Sequence, residues 1–451
     1  MNRFSRLANT GYIGVLALVE RGIPFMPTTT VGRLQQIRLR SIVRHAYRTV
    51  PFYRQELSRL HLAEKDLRTA ADLAKLPLID GALVQQNRGM FLSEKYRNGG
   101  TQSFSTSGSQ TQVPRVIEWD NGSVLRKLAV AERDRTVLNR ILAPGSGRKR
   151  LYLLPDSSLS LTIRAYWEDR TLLAADLGPD QKLSPWVPYE VVAEHINQHR
   201  PALVFSYGSY ADLFFRYLSD RHIPFNPPRV WAVAGDMLSP QGKTLMERDF
   251  GCVVHSVYQA TETGRIGFQC ERCSGFHLNI DLCAVRIADD KGNTLPAGES
   301  GQVIISNLHN RATVLLNYRL GDWATMAKTP CGCGRSLPLL DKLEGRTSEV
   351  LTLADGRRIT GFALRMDCKD ALDGVLQDQL IQSSPDLIRW RIVPLGGTDR
   401  QQLRKRLIIK STDVLGEQTR VEVEIVEHIP FSRHGKIVGT VAETAGTGGS
   451  Q

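Results

Sequence analysis

This sequence lacks an apolar run long enough to cross a bilayer, a segregated block of charge, internal repeats and any abundance of cysteine. Its most apolar N-terminal stretch, residues 12–19, falls far short of the roughly 20 residues that a spanning helix needs. Arg3 and Arg6 precede that stretch, but Glu20, Arg21 and Pro24 follow it with no small-residue cleavage site, so it reads as a buried or peripheral helix rather than a signal peptide. These absences predict no membrane span and point to the cytoplasm. The 58 Lys and Arg against 46 Asp and Glu give a net charge of +12, which suits an anionic ligand such as a nucleotide. Because the basic residues are dispersed along the chain, no specific nucleic-acid partner is expected. Of seven cysteines, four stand in two close pairs, Cys270 with Cys273 and Cys331 with Cys333. Without a secretory signal, such pairs read as metal ligands ahead of disulfides. The 451 residues are enough for two or three domains.

What the chain does contain is organised around Val257-Tyr258-Gln259-Ala260-Thr261-Glu262-Thr263-Gly264, where an apolar run meets a short polar loop. Open α/β sheets place ligands beyond strand ends of this kind. Glu262 can hold a divalent metal on a nucleotide, Thr261 can donate to phosphate, and Tyr258 offers a flat face to a purine. A surface turn capping a strand is the alternative for these eight residues. Upstream, apolar positions at helical spacing predict a helix over 31–47, capped by Thr30 and ended by Pro51. The polar, nearly charge-free stretch 102–111 supplies hydroxyls and backbone N–H groups that can cradle phosphate, or it is a flexible hairpin.

Between residues 151 and 258 apolar runs alternate with helical segments near 189–198, 210–220 and 240–249, which argues for a largely parallel α/β sheet. Short strands with turn signals over 284–305 predict a smaller antiparallel subdomain. Beyond Gly345-Arg346 the composition changes to a small α+β pattern: strand 349–353, helix 362–375, strand 389–393, helix 399–411 and strand 421–426. The Gly/Ser/Thr-rich tail after Ala442 reads as disordered.

Several of these loops, in order, resemble the adenylate-forming (AMP-binding) superfamily, specifically its phenylacetate–CoA ligase-like branch with the capsule-biosynthesis and coenzyme-synthetase-like relatives. Ser105-Thr106-Ser107-Gly108-Ser109 is similar to the family's phosphate loop, and Ala234-Gly235-Asp236 to its loop beside the adenine and acyl pocket. Tyr258 to Glu262, including Gln259, resembles its aromatic-Gly-x-Thr-Glu element. Tyr318-Arg319-Leu320-Gly321-Asp322 resembles its Tyr-Arg-Thr-Gly-Asp, and Gly345-Arg346 its hinge. Pro430-Phe431-Ser432-Arg433-His434-Gly435-Lys436 is similar to the loop bearing the adenylation lysine.

The resemblance implies an N-terminal AMP-binding domain over 1–346, a mobile C-terminal lid over 347–442, and a tail over 443–451. It implies ATP with Mg²⁺ on Glu262, ribose recognition by Asp322, and Lys436 at the carboxylate and α-phosphate. A small carboxylic acid, an aryl acid by resemblance, would become an acyl-adenylate and then a thioester of coenzyme A. A carrier protein, an amine or a hydroxyl is the alternative acceptor, a homodimer is compatible, and a nucleotide-binding scaffold without turnover is the rival outside enzymes. That rival draws on departures: Gln110-Thr111-Gln112-Val113-Pro114 follows Ser109 without the second glycine, Gln259 replaces a glycine, and Ser348-Glu349 stands where two aspartates are usual. Cys270, Cys273, Cys331 and Cys333 have the pairwise spacing of a structural Zn²⁺ site, with His277 able to replace one thiol; four free cysteines are the alternative.

Overall fold

The computed structural model describes residues 2–105, 115–142, 149–172, 180–272, 275–432 and 436–442, the side chain of Ser348 excepted. Thr106, Ser107, Gly108, Ser109, residues 110–114, Cys273, residues 433–435 and the tail 443–451 therefore lie outside the described residues. Among the described residues no helix is long and apolar enough to cross a membrane.

Helix α1 (Arg3–Gly22) starts at Asn2, whose side chain accepts from the Ser5 N–H. It is peripheral: Ile13 and Glu20 are buried while Phe4, Val15 and Leu18 are exposed. Helix α2 (Thr28–Thr49) begins a turn earlier than its apolar spacing suggests, with Pro27 at the cap and Thr30 already inside the helix. Pro51 then opens α3 (Pro51–Arg59), a first-turn position where its missing N–H costs nothing. After α4 (Gly81–Gln86) and α5 (Arg88–Phe91), strands β1 (Thr101–Ser105) and β2 (Val116–Asp120) pair antiparallel with Phe104 opposite Ile117. Ser105 thus ends a strand. Asp120 caps α6 (Asn121–Val130) by accepting from Ser123 N at 3.0 Å, and α7 (Glu132–Ile141) follows.

The middle of the chain runs β3 (Arg150–Leu153), α8 (Leu159–Arg170), β4 (Asp180–Leu183), α9 (Tyr189–His199), β5 (Leu203–Ser206), α10 (Gly208–Asp220), β6 (Val230–Ala234) and α11 (Pro240–Thr244). Then come β7 (Val253–Ala260), β8 (Gly264–Phe268), β9 (Phe276–Leu278), β10 (Cys283–Ala288), β11 (Ser300–Asn307), β12 (Tyr318–Met326) and β13 (Leu339–Arg346). The C-terminal part holds β14 (Val350–Thr352), β15 (Arg358–Thr360), α12 (Gly361–Asp367), β16 (Val375–Ser384), β17 (Leu387–Pro394), α13 (Arg400–Leu415), β18 (Arg420–Ile425) and β19 (Thr440–Ala442).

These elements form two compact units, residues 1–148 with 156–180 and 255–343, and residues 149–155 with 181–254 and 344–451. In the first unit the strands lie in the order β10-β11-β12-β13-β9-β8-β7, with β10, β11 and β12 antiparallel and β7 paired antiparallel to β8. Its core runs through Leu39, Tyr53, Phe91, Trp119, Tyr258, Ile305 and Tyr318. Arg133, fully buried on α7, is held between Glu20 and Asp281, and Arg38 also reaches Asp281. Paired in this way, buried charges orient α1, α2 and α7 rather than add much net stability.

In the second unit β6-β5-β3-β4 are neighbours, β3 with β5 and β5 with β6 parallel, as expected for helical crossovers. A four-stranded sheet in the order β18-β17-β16-β19 carries its own core of Leu364, Leu380, Trp390 and Leu403. The helix expected over 362–375 stops at Asp367. A 3₁₀ turn, Lys369–Leu372, leads to Gly374 at φ +75, and Val375 opens a strand instead. Helix α10 meets that strand through Arg216 Nη1, which donates to the Val375 carbonyl at 3.1 Å.

Candidate functional site

Strand β7 leads into β8 through Thr261-Glu262-Thr263, and Gly264 takes φ +75, a left-handed conformation that glycine adopts at no steric cost. Three consecutive carbonyls of this turn are fixed by side chains. Trp119 Nε1 donates to Thr261 O at 2.9 Å, Asn307 Nδ2 donates to Glu262 O at 2.8 Å, and His309 Nε2 lies 3.3 Å from Thr263 O. Thr261, Glu262 and Thr263 are all buried, so the turn is an ordered interior feature and not a solvated strand cap. Glu262 Oε1 accepts from Tyr318 OH at 3.1 Å, and Arg115 Nη1 in turn donates to that hydroxyl at 2.9 Å. Tyr258 OH donates to Asp322 Oδ2 at 2.7 Å. The two ends of Tyr318-Arg319-Leu320-Gly321-Asp322 therefore meet the two ends of Tyr258-Gln259-Ala260-Thr261-Glu262. Gln259 is half-buried on β7, opposite Arg265.

Asn307, His309, Trp119 and Arg115, which hold this arrangement, carry no local signal of that role in the sequence. His309 is buried, and desolvation pushes its pKa down to about 3, with Lys127 and Arg126 adding to the shift. A histidine whose folded pKa is depressed contributes stability above its unfolded value of 6.5 and loses it as pH falls toward 3. Acidification through that window should therefore cost up to about 1.4 kcal/mol per pH unit from this group. His309→Gln should flatten the profile, which chemical denaturation at a series of pH values would measure.

In the second unit Ala234-Gly235-Asp236 ends β6. Gly235 sits at φ +93, and a Cβ there would lie 2.9 Å from the Tyr207 ring, so the position needs glycine. The Asp236 carboxylate accepts from Gly208 N at 2.6 Å, from Ser209 N at 3.2 Å and from the Ser209 hydroxyl. It thereby serves the N-terminus of α10. Burial raises its pKa, and the Lys436 charge and these hydrogen bonds oppose that shift. Lys436 Nζ donates to Gly235 O at 2.7 Å and lies 4.9 Å from the Tyr207 ring centroid. Ser432 N donates to Lys436 O at 2.8 Å, and Phe431 stacks on Tyr210, which seats this loop. Arg346, half-buried, ends β13 beside Gly345 at φ +106. On the neighbouring strands Phe205 stacks on Tyr152 at 4.7 Å, whereas Trp231 is fully buried against Phe214 and Phe215 and belongs to the core.

The first unit also gathers Cys270, His277, Cys331 and Cys333, whose ligand atoms all lie within 4.8 Å of one another. Cys270 Sγ is 3.7 Å from Cys331 Sγ, and Cys333 Sγ is 3.3 Å from His277 Nε2. Zn–S bonds of about 2.3 Å in a tetrahedron imply an S···S edge of about 3.8 Å, so the donor set fits zinc. His277 Nδ1 lies 3.3 Å from the Leu337 carbonyl, the outer contact that fixes a ligating imidazole. Arg272 N donates to Cys270 Sγ at 3.3 Å. The cluster described is thus three cysteines and one histidine. Cys273, expected as the fourth thiolate, lies outside the described residues.

Residues 351–443 match the family described as the CapK C-terminal domain. The chain is 24% identical over 341 residues to a phenylacetate–coenzyme A ligase of Thermus thermophilus, covering 73% of each. It is 20% identical over 412 residues to protein CapK of Staphylococcus aureus, covering 89% of this chain and 87% of CapK. Among solved structures, a 2-hydroxyisobutyryl-CoA ligase in its postadenylation state superposes with a TM-score of 0.75 at 16% identity, over 94% of this chain and 92% of that one. The same ligase with its acyl-AMP and CoA in the thioesterification state gives 0.58 over the same shares. The chain carries the fold of the adenylate-forming acyl-CoA ligases, and its sequence relatives lie on the phenylacetate–CoA ligase and CapK branch of that superfamily.

Proposed function

We propose that this chain is an AMP-forming acid–CoA ligase. The substrate carboxylate attacks the α-phosphorus of ATP and pyrophosphate leaves; the thiolate of coenzyme A then attacks the acyl carbon and AMP leaves. The observation that carries this reading is the meeting of Tyr258 with Asp322 and of Glu262 with Tyr318, which assembles two separate sequence elements into one acidic, aromatic site. Asp322 is acceptor-only when ionised, as recognition of a ribose diol requires, and Tyr258 fixes its orientation. Glu262, oriented by Tyr318, offers the oxygen donor that Mg²⁺ prefers. A bound Mg²⁺ would neutralise phosphate charge during the first step. Lys436, carried by the C-terminal domain, would meet the charge developing at the α-phosphate, and closure of that domain as a lid would exclude water from the adenylate.

An aryl acid is the favoured substrate class, in keeping with the phenylacetate–CoA ligase relative and with the anthranilate–CoA ligase structure, which has a TM-score of 0.52 at 16% identity. Zn²⁺ on Cys270, His277, Cys331 and Cys333 would be structural, since four protein ligands leave no open position for chemistry. Asp322→Ala tests the nucleotide site. It should weaken AMP binding by about 1–3 kcal/mol, the worth of a hydrogen bond to a charged group. Unchanged affinity by titration calorimetry would move ribose recognition away from β12.

A further inference from the structure

Lys127, on α6, carries a buried amine that nothing above employs. Its nitrogen is buried and has no hydrogen-bond partner among the described residues. It lies 3.3 Å from the centroid of the Trp119 ring and 4.9 Å from that of Phe104. Trp119 is the residue that also donates to Thr261 O, so the aromatic support of the ammonium and the anchor of the Glu262 turn are one side chain. Gly264, which closes that turn, lies against the lysine stem: a Cβ at Gly264 would sit 3.2 Å from Lys127 Cε. Burial pushes the Lys127 pKa well below the usual lysine value, and the Glu262 carboxylate pulls it back up. His309, neutral by burial, is the other titratable group facing it, and Arg126 on the same helix is engaged by Glu20.

Contact with two aromatic faces offsets only part of what removing an ammonium from water costs. Glu262, whose Oε1 accepts from Tyr318, makes no hydrogen bond to Lys127, so the buried nitrogen still lacks an acceptor. We propose that Lys127 is a phosphate-binding residue of this site, its unpartnered nitrogen donating, once protonated, to a nucleotide phosphate oxygen beside the Glu262 turn. The proposal rests on the nucleotide reading above. An arriving phosphate adds negative charge next to the amine and raises its affinity for a proton, so phosphate binding is coupled to proton uptake from solvent. At pH values below both the free and the bound pKa, or above both, no proton is taken up; between them it is.

Titration calorimetry with AMP and with adenosine, in buffers of different ionisation enthalpy and from neutral to alkaline pH, tests this. The wild-type protein should take up a proton with AMP and none with adenosine. Lys127→Met should abolish the uptake and weaken AMP about 10–100-fold, the loss of one charged hydrogen bond, with adenosine affinity unchanged. Lys127→Arg should restore AMP affinity without proton uptake. An equal loss for AMP and adenosine would mean that Lys127 only packs the helix, and absence of uptake by the wild-type protein across the range would overturn the proposal without reference to any variant. AMP binding with equal proton counts in wild type and Lys127→Met would refute it while leaving the nucleotide reading intact; no AMP binding at all would overturn both.

Discussion

Lys436→Ala is expected to slow acyl-adenylate formation by about 10²–10³-fold, the scale for deleting one preorganised electrostatic group, while ATP affinity changes little. The ammonium is seated by the Gly235 carbonyl and the Tyr207 ring, close to the loop that ends β6. A cation whose attraction grows as charge develops on the α-phosphate acts on the transition state more than on bound ATP. Thioester formation from pre-made acyl-adenylate should be much less affected, since that half-reaction would use another orientation of the C-terminal domain. Single-turnover measurement of the two half-reactions separates these outcomes. Equal losses in both would argue against two working orientations, and no loss in either would return Lys436 to a loop lysine that binds Gly235.

The second large effect concerns the cysteine–histidine cluster. Protein prepared without chelators should hold about one Zn²⁺ per chain. Cys331→Ser and His277→Ala should each release it and lower the melting temperature by about 10 °C, as a loss of several kcal/mol in a domain of this size would. The melting temperature should fall far more than the kcat of molecules that remain folded. Metal analysis that finds no zinc would remove the site. Retention of zinc by His277→Ala would restore an all-thiolate shell in place of the one in which Nε2 lies 3.3 Å from Cys333 Sγ.

How much of this was legible beforehand follows from burial. Strands β3, β5 and β6 are apolar because parallel strands under helices are covered, and their sequences announce them. Strand β16 hid because Gln377, Asp378 and Gln379 interrupt its apolar pattern, and the break at Gly374 is a single residue after a helical run. Strands β12 and β13 hid for the same reason, with Arg319, Asp322, Lys342 and Glu344 on their faces. At the candidate site the sequence showed which residue types recur but not what they touch. Tyr258 and Asp322 are 64 positions apart, and Lys436 and Gly235 are 201 apart. No spacing rule links such pairs: Tyr258 on β7 and Asp322 on β12 meet within one sheet, and Lys436 reaches Gly235 from a loop. Nor could spacing choose between thiolate and imidazole at the cluster, because that depends on how β9 turns His277 toward Cys333. Lys127 and His309 left no trace, since a lone lysine on a helix and a lone histidine after a strand look solvated until their neighbours are known.

Activation of a carboxylic acid on ATP by this chain is measured by acid-dependent exchange of labelled pyrophosphate into ATP, run over a panel of aryl and aliphatic acids with Mg²⁺. The expected result is exchange that requires an acid, favours aryl acids, falls about 10²–10³-fold in Lys436→Ala, and proceeds without coenzyme A. Absence of exchange with every acid, in protein that binds AMP, would contradict it and leave a nucleotide-binding scaffold.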